Sequence, residues 1–126
     1  MAQQTALPKL VVLVVEDEPL LRMMAVDLVE DAGFEAVEAR SADEAVEILE
    51  GRTDIRIVFT DVDMPGSMDG LKLAAAIRDR WPPIAIIVTS GHKTVEEDMI
   101  PPRAKFFAKP YDTVKVQDML HQMVMH

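Results

Sequence analysis

Three short stretches are apolar at both parities and constrain the chain most: Leu10-Val11-Val12-Leu13-Val14-Val15, Ile57-Val58-Phe59 and Ile84-Ala85-Ile86-Ile87-Val88. A strand with one wet face alternates polar and apolar side chains, so a run without alternation belongs to a strand covered on both faces. That is the condition of a parallel sheet between helices. The first run leads directly into Glu16-Asp17-Glu18-Pro19, and the second passes through Thr60 into Asp61-Val62-Asp63-Met64-Pro65. A carboxylate where a buried strand emerges is a candidate for chemistry, because open α/β sheets bind ligands beyond the carboxyl ends of their strands.

Between the runs the pattern turns helical. Asp17 or Glu18 can cap a helix with Pro19 in its first turn, and Leu20, Leu21, Met24, Leu28 and Val29 recur at helical spacing until Gly33. Phe34 to Ala39 is a short second strand. Ser41-Ala42-Asp43-Glu44 is a capping-box pattern opening a helix through Ala45, Ile48 and Leu49 to Gly51. Ile55 to Thr60 is the third strand. Asp69 caps a helix carrying Leu71, Leu73, Ala74 and Ile77 inward as far as Trp81, and Pro82-Pro83 breaks it. A weak helical segment, Thr94 to Met99, stops at Pro101-Pro102. Lys105 to Ala108 is a fifth strand, and Asp112 caps a last helix with Val116, Met119, Leu120 and Met123 at its spacing. Five strands alternating with five helical segments mean βαβ units.

A chain of 126 residues, 49% of them hydrophobic, suits one domain with one core, here residues 10–126 behind a loose leader, residues 1–9. No apolar run approaches the roughly 20 residues needed to span a bilayer, and cysteine is absent, which fits a reducing cytoplasm. The expectation is a cytoplasmic protein without membrane attachment, a monomer or weak dimer. A net charge of -9 argues against a nucleic-acid partner, which draws on clustered Lys and Arg. His92, His121 and His126 lack ligand spacing and read as surface residues; the nine Met residues read as core filler.

At the strand ends stand Glu16 and Asp17, Asp61, Thr89 and Ser90, and Lys109. Singly each is bland, since an acid after a strand usually caps a helix and a lone Lys before Pro signifies nothing. Together they put three carboxylates against one lysine. Like charges about 4 Å apart repel by roughly 1 kcal/mol in water and about 4 at an effective dielectric of 20, so the set calls for a cation. A hard divalent ion with two carboxylates, a carbonyl and waters describes Mg2+ better than Ca2+. Such an ion brings a phosphoryl group. Asp61 is then the nucleophile that forms an aspartyl phosphate, while Lys109 and Ser90 bind phosphoryl oxygens.

These residues resemble the receiver domain of two-component response regulators, the CheY-like family, over Leu10 to Val124. The matching pieces are Glu16-Asp17, Asp61 with Met64-Pro65 and Asp69-Gly70, a hydroxyl-small pair after the fourth strand, and Lys109-Pro110. The resemblance implies a flavodoxin-like α/β fold with strand order 2-1-3-4-5 and helices on both faces. It implies that a histidine kinase or phosphotransfer protein phosphorylates Asp61, and that Asp17, Asp61 and the Asp63 backbone carbonyl hold Mg2+ with Glu16 behind them. It also implies a cis Lys109-Pro110 bond, at most self-catalysed phosphorylation and dephosphorylation, and signalling through the face of the fourth helical segment, fifth strand and last helix. Ser90 is the switch hydroxyl because Gly91 follows it; Thr89 before Ser90 meets the same pattern. Departures from the family are the acidic Asp63, a loop one residue longer at Gly66-Ser67, Phe106 in the place of a switch partner, and Tyr111 after Lys-Pro. The last resembles a receiver subgroup with a Lys-Pro-Tyr ending.

Two other readings compete. Asp61-Val62-Asp63 fits the Asp-x-Asp start of haloacid-dehalogenase-like phosphatases, nucleophile first and general acid second. Alternatively the chain is a receiver-like interaction module that is never phosphorylated.

Overall fold

The computed structural model describes residues 9–66, 68–92 and 95–125. Its elements are β1 (Val11–Val15), α1 (Pro19–Asp31), β2 (Glu35–Ala39), α2 (Ala42–Gly51), β3 (Ile55–Asp61), α3 (Gly70–Arg80), β4 (Ala85–Ser90), a 3-10 turn (Glu97–Met99), β5 (Lys105–Ala108) and α4 (Thr113–Val124). The five strands are all parallel in the order β2-β1-β3-β4-β5. The central strands carry the runs apolar at both parities, as a doubly covered sheet requires.

Alternate residues of β1 enter different cores. Val11, Leu13 and Val15 pack with Ala45 and Leu49 of α2 and Leu73, Ala74 and Ile77 of α3. Val12 and Val14 pack with Leu28 and Val29 of α1 and Val116 and Leu120 of α4. Burying side chains such as Leu13, Ile57 and Leu120 contributes about 1.5–3 kcal/mol each. These two cores fix the sheet as a rigid frame for the loops at its carboxyl edge. Gln117 Nε2 donates to Leu28 O at 3.0 Å, and His121 Nε2 lies 2.7 Å from Ala32 O with its ring stacked on Phe34, so α4 is tied to the end of α1.

Helix starts follow the sequence closely. Glu18, Ser41, Asp69 and Asp112 each accept hydrogen bonds from first-turn backbone N–H groups. Glu44 closes its box one residue early, accepting from Arg40 N rather than from Ser41 N. Gly33 takes φ +96 just beyond α1, a left-handed conformation that glycine adopts without steric cost.

Three expectations need correction. Leu20, Leu21 and Met24 do not face the core; they are 57%, 40% and 57% exposed, and α1 packs through Ala25, Leu28 and Val29. The methionines are not uniformly core filler, since Met23, Met24, Met99 and Met125 are exposed while Met64 is buried. The fourth helical segment is only the 3-10 turn Glu97–Met99, because Pro101-Pro102 leaves no room for an α-helical ladder. Its expected first residue, Thr94, lies outside the described residues, as do residues 1–8 of the leader, Ser67 and His126.

Candidate functional site

β1 and β3 deliver their acids side by side because they are neighbouring parallel strands in register, Val15 opposite Thr60. Glu16, Asp17 and Asp61 each offer a carboxylate oxygen, and these oxygens lie within 4.8 Å of one another. Glu16 and Asp61 are buried and Asp17 is the member most open to solvent. The Glu18 N–H donates to Glu16 Oε2 at 3.2 Å, and Arg22 reaches back from α1 to donate to Glu16 O at 3.0 Å while pairing with Glu38. The acidic turn is thus held from both its side chain and its backbone.

Lys109 enters from the end of β5, where its N–H donates to Ser90 O and its peptide bond to Pro110 is cis. Its Nζ lies 3.3 Å from Glu16 Oε1 and 3.2 Å from Asp61 Oδ1. Burial pushes the Asp61 carboxyl above the ordinary range, and Lys109 offsets only part of that. Burial and the nearby Asp61 raise Glu16 likewise. For Lys109 burial acts to lower the pKa, but the two facing carboxylates prevail and raise it. One ammonium therefore does not satisfy the acids. Asp61 Oδ1 is buried and accepts no well-directed hydrogen bond among the described residues. An under-satisfied carboxylate oxygen inside an oxygen-only cluster fits a hard divalent ion.

The start of α3 closes this cluster from below. Gly70 N donates to Val62 O at 3.2 Å, and a Cβ on Gly70 would collide with Asp61 O and lie 2.8 Å from Asp61 C and Val62 Cα. Only glycine permits that approach, which explains Asp69-Gly70: a cap followed by a residue without a side chain.

Asp63 does not join the carboxylate cluster. Its Oδ2 accepts from Ser90 Oγ at 2.8 Å and from Gly91 N at 3.2 Å, and Ser90 Oγ in turn accepts from His92 N at 3.3 Å. Burial is the largest single influence and opposes its ionisation, but the bonds from Ser90, Gly91 and His92 together outweigh it and hold its pKa below the usual carboxylate range. Thr89 is buried and paired in register with Asp61, and it lines the wall of a cavity of about 560 Å³ between α1, β3 and the Lys109-Pro110-Tyr111 turn. The two hydroxyls therefore differ in place: Ser90 faces the Asp63 loop and Thr89 the cavity.

The family model for the response regulator receiver domain matches residues 12–121. The chain belongs to the receiver domain family. Among curated relatives it is 37% identical over 122 residues to the sensor kinase CckA of Brucella abortus, covering 90% of this chain and 12% of that protein. It is 33% identical over 112 residues to the response regulator protein FleR of Pseudomonas aeruginosa, covering 86% and 23%. The chain thus spans less than a quarter of the length of either relative. The solved receiver domain of NtrX from Brucella abortus superposes with a TM-score of 0.80 at 30% identity, covering 90% of this chain and 97% of that one.

Receiver domains are signalling domains, and they bind Mg2+ in the acidic pocket that Glu16, Asp17 and Asp61 form here. Three features of this receiver escaped sequence reading. Arg22 carries no signal of its own in the sequence, and only the fold brings it to the backbone of Glu16. Tyr111 is half-buried against Phe59, ring centroids 6.0 Å apart, and burial raises its hydroxyl pKa. The Asp63–Ser90 bond joins loops 27 residues apart. Phe106 is half-buried against the α2–α3 core, consistent with a packing role at the switch-partner position.

Proposed function

We propose that this receiver accepts a phosphoryl group on Asp61 from a histidine kinase or phosphotransfer protein. The observation that carries the reading is the convergence of Asp61, Glu16, Asp17 and Lys109 from the ends of three parallel strands. An Asp61 oxygen attacks the phosphorus of a phosphohistidine; the new P–O bond forms as the P–N bond breaks, and the donor leaves as imidazole. Asp17, Asp61 and the Asp63 backbone carbonyl would hold Mg2+, with Glu16 orienting Lys109 behind them. The ion would supply charge neutralisation for the phosphoryl oxygens. Lys109 then exchanges carboxylate contacts for a phosphoryl oxygen, and Ser90 must leave Asp63 to donate to another. Dephosphorylation is the attack of water on the same phosphorus, with Asp61 as leaving group.

The apolar rim of the cavity suits the donor. Leu20, Leu21, Met23 and Met24 are exposed on the first two turns of α1, and Leu21 and Met24 line the cavity that opens onto Asp61. Such a patch beside an acceptor marks an interaction site, here for the apolar face of a helix that carries the phosphohistidine. Output runs through the 3-10 turn, β5 and α4, which β5 couples to Lys109. The site works in the cytoplasm; among the described residues no helix is long and apolar enough to cross a membrane.

The phosphatase alternative loses its second residue, because the Asp63 carboxylate is engaged by Ser90 and Gly91 rather than poised over Asp61. Incubation with Mg2+ and acetyl phosphate, read by intact mass, tests the acceptor. A gain of one phosphoryl group that is lost in Asp61→Asn is expected; no gain in the parent refutes the reading.

A further inference from the structure

We propose that the cavity at the opposite, amino-terminal edge of β3, β4 and β5 binds a phosphorylated anion of nucleotide size. This cavity of about 370 Å³ is lined by Arg56, Arg78, Arg103 and Lys105 and by no carboxylate. Against a chain of 22 acids and 13 bases, four cations around one hollow are a local inversion of charge. The volume lies within the range of small-molecule sites, roughly 300–1,000 Å³.

Two of the three arginines that line this cavity differ from the rest in their pairing; Arg78, the third, is paired with its neighbour Asp79. Arg22, Arg40, Arg52, Arg78 and Arg80 each have a carboxylate partner, at 3.0, 3.7, 2.7, 3.4 and 2.7 Å. Arg56 and Arg103 have none among the described residues, and both line this cavity. Each also stands at a backbone irregularity. β1 pairs Val11 with Ile55 and Val12 with Ile57, so Arg56 is a supernumerary residue without a partner on β1, a device that re-aims a side chain. Arg103 adopts φ +75, a left-handed conformation that costs a residue with a Cβ, in the turn closed by Ala104 N to Pro101 O. Strain of that kind persists where the surroundings hold it, commonly at ligand sites.

Apart from the amide of Gln122, the rest of the lining is apolar, including Met119 and Met123 of α4 and the paired prolines 82–83 and 101–102. A bare phosphate would use only the cations. An anion with a flat organic body would also cover the proline rings and methionines, and guanidinium groups stack on such bodies as well as pairing with phosphate. That combination selects a nucleotide over inorganic polyanions. The site faces away from the acidic pocket, and α4 contributes to both edges, through Met119 and Met123 here and through Thr113 at the Asp61 cavity.

The test is calorimetric titration of the full chain with ADP, GDP and inorganic pyrophosphate in the presence of a chelator, with backbone amide shifts recorded in parallel. Saturable binding of a nucleotide, at least tenfold tighter than pyrophosphate, with shifts at residues 56, 84–86 and 103–105, is expected. Arg56→Gln and Arg103→Gly should each weaken it at least tenfold while Arg80→Gln leaves it unchanged. Arg103→Gly also relieves the left-handed strain, so it should melt at or above the parent temperature while binding worse, which excludes misfolding as the cause. No nucleotide binding up to millimolar concentration, pyrophosphate binding equally well, saturation by an acidic peptide alone, or parental affinity in both variants would each overturn the proposal.

Discussion

Asp63, two positions after Asp61, restrains the far side of the site. Asp63 holds Ser90 Oγ at 2.8 Å and Gly91 N at 3.2 Å, so the two groups best placed to meet a phosphoryl oxygen are engaged before it arrives. In Asp63→Asn the side chain keeps its shape and one acceptor but loses the charge. A hydrogen bond to an ionised group is worth about 1.5–3 kcal/mol and is roughly twice as strong as its neutral counterpart. Asp63 is partly open to solvent, which places each of its two bonds at the low end, about 1.5 kcal/mol, so removing the charge halves both and frees about 1.5 kcal/mol, or roughly tenfold. Asp63→Ala removes both bonds and should free about 3 kcal/mol, or roughly 150-fold. The assay is the affinity of beryllofluoride, a phosphoryl mimic, at saturating Mg2+. Tighter binding in the order parent, Asn, Ala is expected, with the Gly91 amide resonance of the unliganded variants moved toward its liganded position. The same substitutions take a negative charge from the neighbourhood of Asp61 and should weaken Mg2+ binding, so the metal must be saturating for the two effects to separate. If neither variant binds the mimic more tightly than the parent, the Asp63 carboxylate does not restrain Ser90.

Other consequences are direct. Mg2+ at about 100 times its dissociation constant should stabilise the domain by about 2.7 kcal/mol, raising Tm by roughly 10 °C for a chain of this size, and Asp17→Ala should abolish the shift; persistence in the variant would place the metal elsewhere. Gly70→Ala puts a methyl against the backbone of Asp61 and Val62, which cannot yield as a flexible side chain does, so a loss of about 1–3 kcal/mol in chemical denaturation is expected together with loss of acetyl phosphate labelling. Asp61→Asn should stabilise the metal-free protein at neutral pH by about 1 kcal/mol, since it replaces a buried carboxylate oxygen that lacks a directed partner. The folded state raises the Asp61 pKa, so it binds the proton more tightly than the unfolded chain, and stability falls as pH climbs from the ordinary carboxylate range through the folded value. The advantage of the variant should therefore vanish in acid, where Asp61 is protonated in both states; an advantage independent of pH would refute the electrostatic origin.

The parts of this molecule legible in the sequence are those in which one strand decides one residue's place. Glu16 and Lys109 each follow a strand directly and Asp61 ends one, so a correct strand order suffices to bring them together, and Ser41, Asp69 and Asp112 cap the helices they precede. What was not legible depends on contacts between segments whose mutual orientation only the packed sheet defines. Asp63 and Ser90 meet because β3 and β4 are in register with Asp61 opposite Thr89. The stripe of Leu20, Leu21 and Met24 satisfied a helical period as well as Ala25, Leu28 and Val29 do, yet among the described residues nothing buries the turn of α1 that carries it. Arg56 sits between Ile55 and Ile57 like any outward residue of a strand; the slip in pairing that isolates it is a property of two strands, not of one.

The site's energetics connect these observations. Glu16 and Asp61 are both held above their ordinary pKa values, and their shared partner Lys109 is held above its own, so the acidic pocket is an unfavourable arrangement of charge with one cation too few. A fold keeps such a cluster only when something else repays it, and the two cores on either side of the sheet are large enough to do so. A divalent ion held there would remove repulsion as well as form bonds. Lys109, then no longer required by both carboxylates, would be able to turn to a phosphoryl oxygen, drawing on β5, whose end it terminates. Ser90 sits across the site under a separate restraint, the Asp63 carboxylate, which the metal does not itself release. On the proposed reading of the site, metal and phosphoryl would therefore act in separable steps: the first would relieve Asp61, and the second would have to break the Asp63–Ser90 bond.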